Sequence, residues 1–311
     1  MAGCKFKGSA LISALFIMTM VAIAATAMSM RLQLDIYRTH MTILADKVYL
    51  ASQYGTFWAM DMLAGSKNKI IRTDGNGLAF SLPASMQSVY PNMQIVSEVY
   101  DLQGRFNVNN LSDERYYLAF LRLLKKVLPE TNDGEQKKIA QALREWVSAY
   151  IPGNRNSFSG YYLGQKPSYL PAHLPLQSIS ELRLVYGITP NVYNKLKNYV
   201  TALPEPTAIN INSAPQPVLY SLAHGLNQTR IEELTAARGK KGFKNQKKME
   251  PVLKKLNINN NLLTLESSYF LSITTVKAED IKLTNFSIIK RVRNNKNKTM
   301  ISLVSESLNA M

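Results

Sequence analysis

Groups able to do covalent or acid–base chemistry are scarce in this chain. It holds three histidines, His40, His173 and His224, and a single cysteine, Cys4. One cysteine makes no disulfide framework and no thiolate metal cluster. The histidines fall in unrelated contexts: a long helix, a proline-rich loop and a helix end. The sequence has no H-E-x-x-H, no G-x-S-x-G, no phosphate-binding loop and no G-x-G-x-x-G, so an enzyme is not expected. Glu130-Thr-Asn-Asp-Gly-Glu135 is acidic, but its spacing is not that of a helix–loop–helix calcium loop. A solvated turn accounts for it.

Basic and amide side chains are more suggestive. Between residues 229 and 255 nine Lys or Arg face three Glu, with Lys240, Lys241, Lys244, Lys247 and Lys248 among them. Such a run suffices for non-specific phosphate contact. Val185-Tyr-Gly-Ile188 and Ala223-His-Gly-Leu226 each set Gly between apolar residues at a helix–helix turn. Helix–hairpin–helix modules have that look, and their turn amides and adjoining helix N-terminus hold phosphate. DNA binding is therefore the alternative reading. The pairs Asn107/Asn109 and Asn210/Asn212 each point one way on a short extended segment. Asn bonds nearby backbone, so each pair is expected to staple a neighbouring loop.

The elements that must position these groups come next. The chain carries 37 Lys plus Arg against 21 Asp plus Glu, a formal charge of +16 over 311 residues. That excess favours acidic partners and leaves the fold open. With 46% hydrophobic and 19% charged residues, the texture is that of a folded chain of about two domains. Zinc fingers, iron–sulfur proteins and multi-span membrane proteins are excluded by composition.

Lys5 and Lys7 precede Gly8, and from Ser9 to Met30 there are 22 residues without a charge. As a helix that run spans ~33 Å at ~1.5 Å per residue, enough to cross a bilayer core. The lysines should keep the short end in the cytoplasm. An ordinary signal anchor, or a secretory signal cut near A-T-A-M-S-M, is the plainer alternative. Beyond Arg31 the helix continues, with Tyr37, Met41, Leu44, Val48, Ala51, Gly55, Trp58 and Met62 at alternating steps of four and three. This single apolar stripe is expected to pack on the protein's own sheet, and at another height on sister helices.

Residues 65–92 read as loop, Met93–Tyr100 as a strand and Asp101–Gly104 as a turn. Helices are expected over 112–128, with Ser112 as N-cap, and over about 135–150. After a loop at 152–176, Ser178-Ile-Ser-Glu181 is a capping box, and Gly187 stops the helix it opens. Thr189-Pro190 and Ser213-Ala-Pro215 start further helices, and Gly225 stops the second of them. Another runs from Thr229 to Arg238. From Ser268 the chain turns β-branched and aromatic, in runs split by an N-N-K-N turn at 294–297, as in an antiparallel meander.

The Gly8–Ser9 boundary resembles the class III leader of type IV pilins and secretion pseudopilins. In that family a prepilin peptidase cuts after the Gly and methylates the next residue, here Ser9. Removing residues 1–8 would leave 303 of 311 residues, and losing two lysines lowers the charge from +16 to +14. Most pilins carry Glu at the fifth mature position. Here it is Ser13, an absence typical of the K component of type II secretion, whose place at the tip leaves it no neighbour above. Three further motifs are similar to that K family. They are Asp101-Leu-Gln-Gly104-Arg-Phe-Asn107-Val-Asn109, then Pro171-Ala-His-Leu-Pro-Leu-Gln-Ser-Ile-Ser-Glu181-Leu running on to Val185-Tyr-Gly187-Ile-Thr189, and Leu203-Pro204 with Ile209-Asn210-Ile-Asn212-Ser-Ala-Pro215. His173 stands where Asn is usual.

The resemblance implies an α+β, type IV pilin-like fold: a long N-terminal helix plus antiparallel sheet, with a large inserted helical domain. Residues 1–8 would be leader, 9–30 the transmembrane helix, 31–111 helix and first part of the pilin-like domain, 112–260 the insert, and 261–311 the closing strands. It implies a minor pseudopilin at the tip, joining pseudopilins I and J to start the filament that moves proteins through an outer-membrane secretin. The other implied contacts are the prepilin peptidase and the inner membrane, crossed once with the C-terminal domain in the periplasm; nucleic acid is not expected. Family members commonly bind calcium through carboxylates near a W-x-D-x-D stretch and a following G-x-E-D-x-Y-Y. The matching stretches here are Trp146-Val-Ser148-Ala-Tyr150 and Ser159-Gly-Tyr-Tyr162, without those acids. No cofactor is therefore expected.

Overall fold

The computed structural model describes residues 9–65, 73–74, 76–151, 158–239, 241–294 and 298–309. Helix α1 runs unbroken over Ser9–Gly65 and is long and apolar enough to cross a membrane. Its upper half lies on one face of a sheet. Leu44, Val48, Ala51, Trp58 and Ala59 bury against Ile95, Val99, Phe270, Val276 and Ile289, each large side chain stabilising the contact by about 1.5–3 kcal/mol. The stripe read from the sequence is therefore real from Leu44 upward, whereas Tyr37 stands exposed below the sheet. Gly55 lets the helix approach closely: a Cβ there would meet Thr274 Oγ1 at 2.2 Å.

The sheet is antiparallel, in the order β1 (Leu78–Ser81), β2 (Gln94–Asp101), β7 (Tyr269–Ala278), β8 (Ile281–Arg293), β9 (Thr299–Leu308). Strands β7 to β9 form the expected meander, although the turn residues 295–297 lie outside the described residues. Strand β1 falls inside the stretch read as loop. It is four residues long and irregular against β2, too short for an alternation signal.

Between β2 and β7 the chain makes a mostly helical insert. It contains α2 (Glu114–Val127), α3 (Asp133–Val147), α4 (Ser159–Leu163), α5 (Pro190–Leu196), α6 (Gln216–Ser221), α7 (Gln228–Arg238) and α8 (Gln246–Leu256). Two short parallel pairs close it: β3 (Phe106–Asn107) on β4 (Val200–Thr201), and β5 (Ile209–Asn210) on β6 (Leu263–Thr264). One apolar core gathers residues from Phe106 to Leu263.

Several local readings shift. Asp113, not Ser112, caps α2, accepting from the Arg115 amide, while the Ser112 hydroxyl donates back to the Asn109 carbonyl. Helix α3 starts two residues early because Asn132 caps it. The capping box at Ser178 and Glu181 forms, on a 3-10 turn over Ile179–Leu184 rather than an α-helix. Pro215 stands at the N-cap of α6, which frees Ser213 for another task.

Candidate functional site

Gly8 lies outside the described residues. Ser9 is the first described residue and already lies in α1. Of the other residues singled out in the sequence, Asp101, Gly104 and Asn210 meet at the joint between sheet and insert, whereas Asn107, Asn109, Asn212, Glu181 and Gly187 find their partners within the insert.

That joint is built around Asp101, the last residue of β2. Its carboxylate is buried. Oδ1 accepts the Gln103 amide at 2.8 Å, and Oδ2 accepts Asn210 Nδ2 at 2.8 Å, Ser213 Oγ at 2.6 Å and Ser267 Oγ at 2.7 Å. One acid thus binds the end of β2, the β5 corner and the lead into β7, which is where the insert departs and returns. Burial pushes the Asp101 carboxyl up, and the Ser213, Ser267, Gln103 and Asn210 bonds pull it back. Gly104 follows on the same turn, and a Cβ there would meet the Ser213 carbonyl oxygen at 2.6 Å.

The asparagines are staples. Asn107 accepts the Leu203 amide at 3.1 Å and donates to the Glu205 carbonyl at 2.9 Å. Asn109 donates to the Leu176 and Leu203 carbonyls at 2.9 and 2.8 Å and accepts the Leu176 amide at 2.8 Å. Asn212 closes a two-bond ring with the Phe243 backbone, 2.7 and 3.1 Å. Glu181 takes the Gln177 and Ser178 amides at 2.8 and 2.9 Å. Gly187 adopts φ +77° with Ile139 pressed against the place of its missing Cβ, so both family glycines mark close approaches.

Sequence reading missed Asn110, which makes a two-bond ring with Thr207 at 2.7 and 3.0 Å. It also missed Ser213, Ser267 and the clasp formed by Glu205 with Tyr269 Oη (2.7 Å) and Lys290 Nζ (2.8 Å). The Lys290 and Tyr269 bonds hold the Glu205 carboxyl below the usual range. The run N-V-N-N carried a signal for Asn110. Nothing local marked the serines, because their partner is over 100 residues away for one and over 160 for the other.

The stretches that match the family's calcium site present rings in place of carboxylates. The Trp146 ring meets Tyr162 edge-on at 5.5 Å and Tyr169 at 6.3 Å, and Tyr150 meets His173 at 5.4 Å. Among the described residues no group of three His, Cys, Asp or Glu gathers anywhere, whereas calcium takes six to eight oxygens.

The phosphate-holding look of the first Gly turn also dissolves. Its amides are spent internally, Ile188 on the Val185 carbonyl and Thr189 on that of Gly187. In the basic stretch Arg238 turns inward to the Ile211 and Ala214 carbonyls.

The model of the family "type II secretion system (T2SS), protein K" matches residues 104–205 and its companion matches 209–265, together just over half of the chain. The chain belongs to that family. Similar relatives, each bearing the name type II secretion system protein K, include one from Aeromonas hydrophila, 28% identical over 95% of this chain and 96% of its own. Another is from Pseudomonas aeruginosa, 25% identical over 94% and 91%. Among solved structures, one from the GspK–GspI–GspJ complex of enterotoxigenic Escherichia coli shares the fold, with a TM-score of 0.68 and 22% identity over 88% of this chain and all of the other. The family is a structural component of secretion, and this member is a minor pseudopilin.

Proposed function

We propose that this K-family protein caps the pseudopilus, anchored once in the inner membrane with its folded part in the periplasm, and acts without catalysis. The observation that carries this is where the insert leaves the sheet. Glu279, in the hairpin between β7 and β8, lies 3.8 Å from His40 on α1. At the other end, Arg291 on β8 donates to the Leu63 carbonyl at 3.0 Å, and Lys290 pairs with Tyr269, where the chain returns from the insert. Since α1 rises from its apolar segment toward Leu63, the insert sits at the end remote from the membrane. A bulky domain there obstructs a subunit stacking above, which agrees with Ser13 in place of the usual Glu. Asp101, Gly104 and Asn210 serve in this reading as the joint's framework, and Asn107, Asn109, Glu181, Gly187 and Asn212 as that of the insert.

Co-production with the I and J pseudopilins tests the proposal. A detergent-stable complex is expected, together with a mature chain that has lost residues 1–8 and carries a methylated Ser9. An intact leader, or cleavage beyond Met30, would sink it. The domain is expected to work without calcium, and micromolar calcium binding in a calorimetric titration would contradict that.

A further inference from the structure

The contact between α1 and the sheet has a polar band across its middle. Ser97, Thr274 and Asn285 stand opposite one another on β2, β7 and β8, and Ser272, Ser287 and Glu306 do so on β7, β8 and β9. Both rows face α1. An apolar row of Ile95, Val276 and Leu283 lies below them, and one of Phe270, Ile289 and Leu303 above. The helix repeats that order with buried residues: Leu44, Val48 and Ala51, then Ser52, Gly55 and Thr56, then Trp58, Ala59 and Leu63. Bonds cross the contact only within the band's height and at the helix end. Thr56 Oγ1 and Ser287 Oγ are 3.0 Å apart, and Gln53 and Asn285 donate to the same Glu306 oxygen at 2.7 and 2.6 Å. Ser97 Oγ and Thr274 Oγ1, 2.8 Å apart, satisfy each other.

We propose that this band is a register lock, in which Gly55 and Thr56 fix the height at which α1 lies on the sheet and hence the height of the insert above the bilayer. The proposal rests on the minor-pseudopilin reading and names the residues that position this subunit for assembly. Apolar burial is non-directional, so an apolar stripe alone holds nearly as well after sliding by one turn. Four residues of slip move the helix ~6 Å at ~1.5 Å per residue. A subunit seated that way would present its folded part a full turn too high or too low.

Two features of the band forbid the slip. Sliding by four residues brings Ala51 or Ala59 to the place of Gly55. A Cβ there meets Thr274 Oγ1, Cγ2 and Cβ at 2.2, 2.4 and 2.8 Å, and turning the Thr274 side chain does not move its Cβ. Sliding also parts Thr56 from Ser287. In one direction Ser52 takes that place and Thr56 faces the apolar row; in the other Met60 takes it and the Ser287 hydroxyl loses its partner on the helix. A buried hydroxyl left unmet costs its desolvation. Buried polar side chains set register between paired helices in the same way.

Moving the notch tests the lock. Ala51→Gly/Thr56→Val opens a second notch one turn lower, with Ser52 placed to meet Ser287, while Gly55 keeps the native seat available. Adding Gly55→Ala closes the native seat. The full chain, with Cys4→Ser, carries nitroxide labels at Arg38→Cys and Met300→Cys, exposed positions toward opposite ends of the contact, and label distances are measured in detergent by pulsed electron resonance. The parent should give one distance. The double variant should add a second, ~6 Å shorter, and the triple variant should show the shorter one alone. In the complex recovered with pseudopilins I and J, the double variant should show only the longer distance, and the triple variant should yield at least tenfold less complex. A double variant with the parental distance alone overturns the lock, whether or not the triple variant folds. Both distances persisting in the complex overturn its part in assembly. Failure of the wild type to form any complex overturns the pseudopilin reading instead, since the label distances are read without partners.

Discussion

At the joint between sheet and insert, side chains that burial removes from water find partners: Asp101 takes four donors, and Asn109 makes three bonds to backbone. Along the outer flank of α1 the reverse holds, with isoleucine, leucine and phenylalanine left facing water. The two regions differ in what maintains them. A buried acid surrounded by donors stabilises the folded monomer, because an unmet buried donor costs its full desolvation. An exposed apolar line adds nothing to the folded monomer and is explained only by what covers it. The residues that match family motifs lie at the first region or within the insert it supports, so they report on architecture.

Breaking the joint should have the largest effect. Asp101→Ala takes the shared acceptor from Asn210, Ser213, Ser267 and the Gln103 amide at once, leaving Asn210 Nδ2 only its bond to Ser267 Oγ. At about 1–3 kcal/mol per unmet donor, a loss of about 4 kcal/mol or more is expected. Urea unfolding of the full chain in detergent, followed by near-ultraviolet circular dichroism, would show it. A loss under about 1 kcal/mol would mean that water reaches the joint.

A smaller effect separates the two flanks of α1. Gly55→Ala puts a methyl group into Thr274 and should cost about 1–3 kcal/mol through overpacking. Leu50→Ala, a few residues away on the open flank, should stay within about 0.5 kcal/mol. Equal melting temperatures for the two variants would remove the distinction between the covered and uncovered flanks.

Local signals carried most of the fold. The charge-free run, the capping box, Thr189-Pro190 and the β-branched meander are each written in a few neighbouring residues, and each forms. The asparagine pairs were legible as staples because Asn has that habit, but their partners were not. Leu176, Leu203 and Phe243 supply backbone groups, which no residue type announces. Ser213 was misread because S-A-P also spells a helix start, and only the return of Ser267 beside Asp101 gives it another use. The exposed apolar line on α1 was overlooked for a different reason. Its members are interleaved with the buried stripe, and a sheet must be placed on one flank before the other shows as uncovered.

Acidity offers a gentler probe of the same joint. Burial raises the Asp101 carboxyl above its unfolded value, so between those two values the native state binds more protons than the unfolded one. Stability from this group is then fully present below the unfolded value and is lost as pH rises through the folded one. Asp101→Asn removes the titration, and the serine hydroxyls can turn to suit it. The difference in unfolding midpoint between wild type and Asp101→Asn should therefore move against the wild type as pH rises from about 4. A difference that moves the other way would mean that the four donors outweigh desolvation.

The smallest expected effect concerns the basic stretch. A phosphate contact needs free amides at a Gly turn and free cations beside it. Here the Ile188 and Thr189 amides are consumed within their own turn, Arg238 points inward, and Lys255 is paired with Glu233. Lys244, Lys247 and Lys248 remain on the surface, dispersed around the N-terminal end of α8. Retention on duplex DNA should thus fall only gently with salt, as for any cationic protein. Each phosphate neutralised contributes about −0.9 to the slope of log affinity against log salt. A slope of several, abolished by replacing Lys244, Lys247 and Lys248 with Gln, would make the insert a nucleic-acid surface and the joint its support.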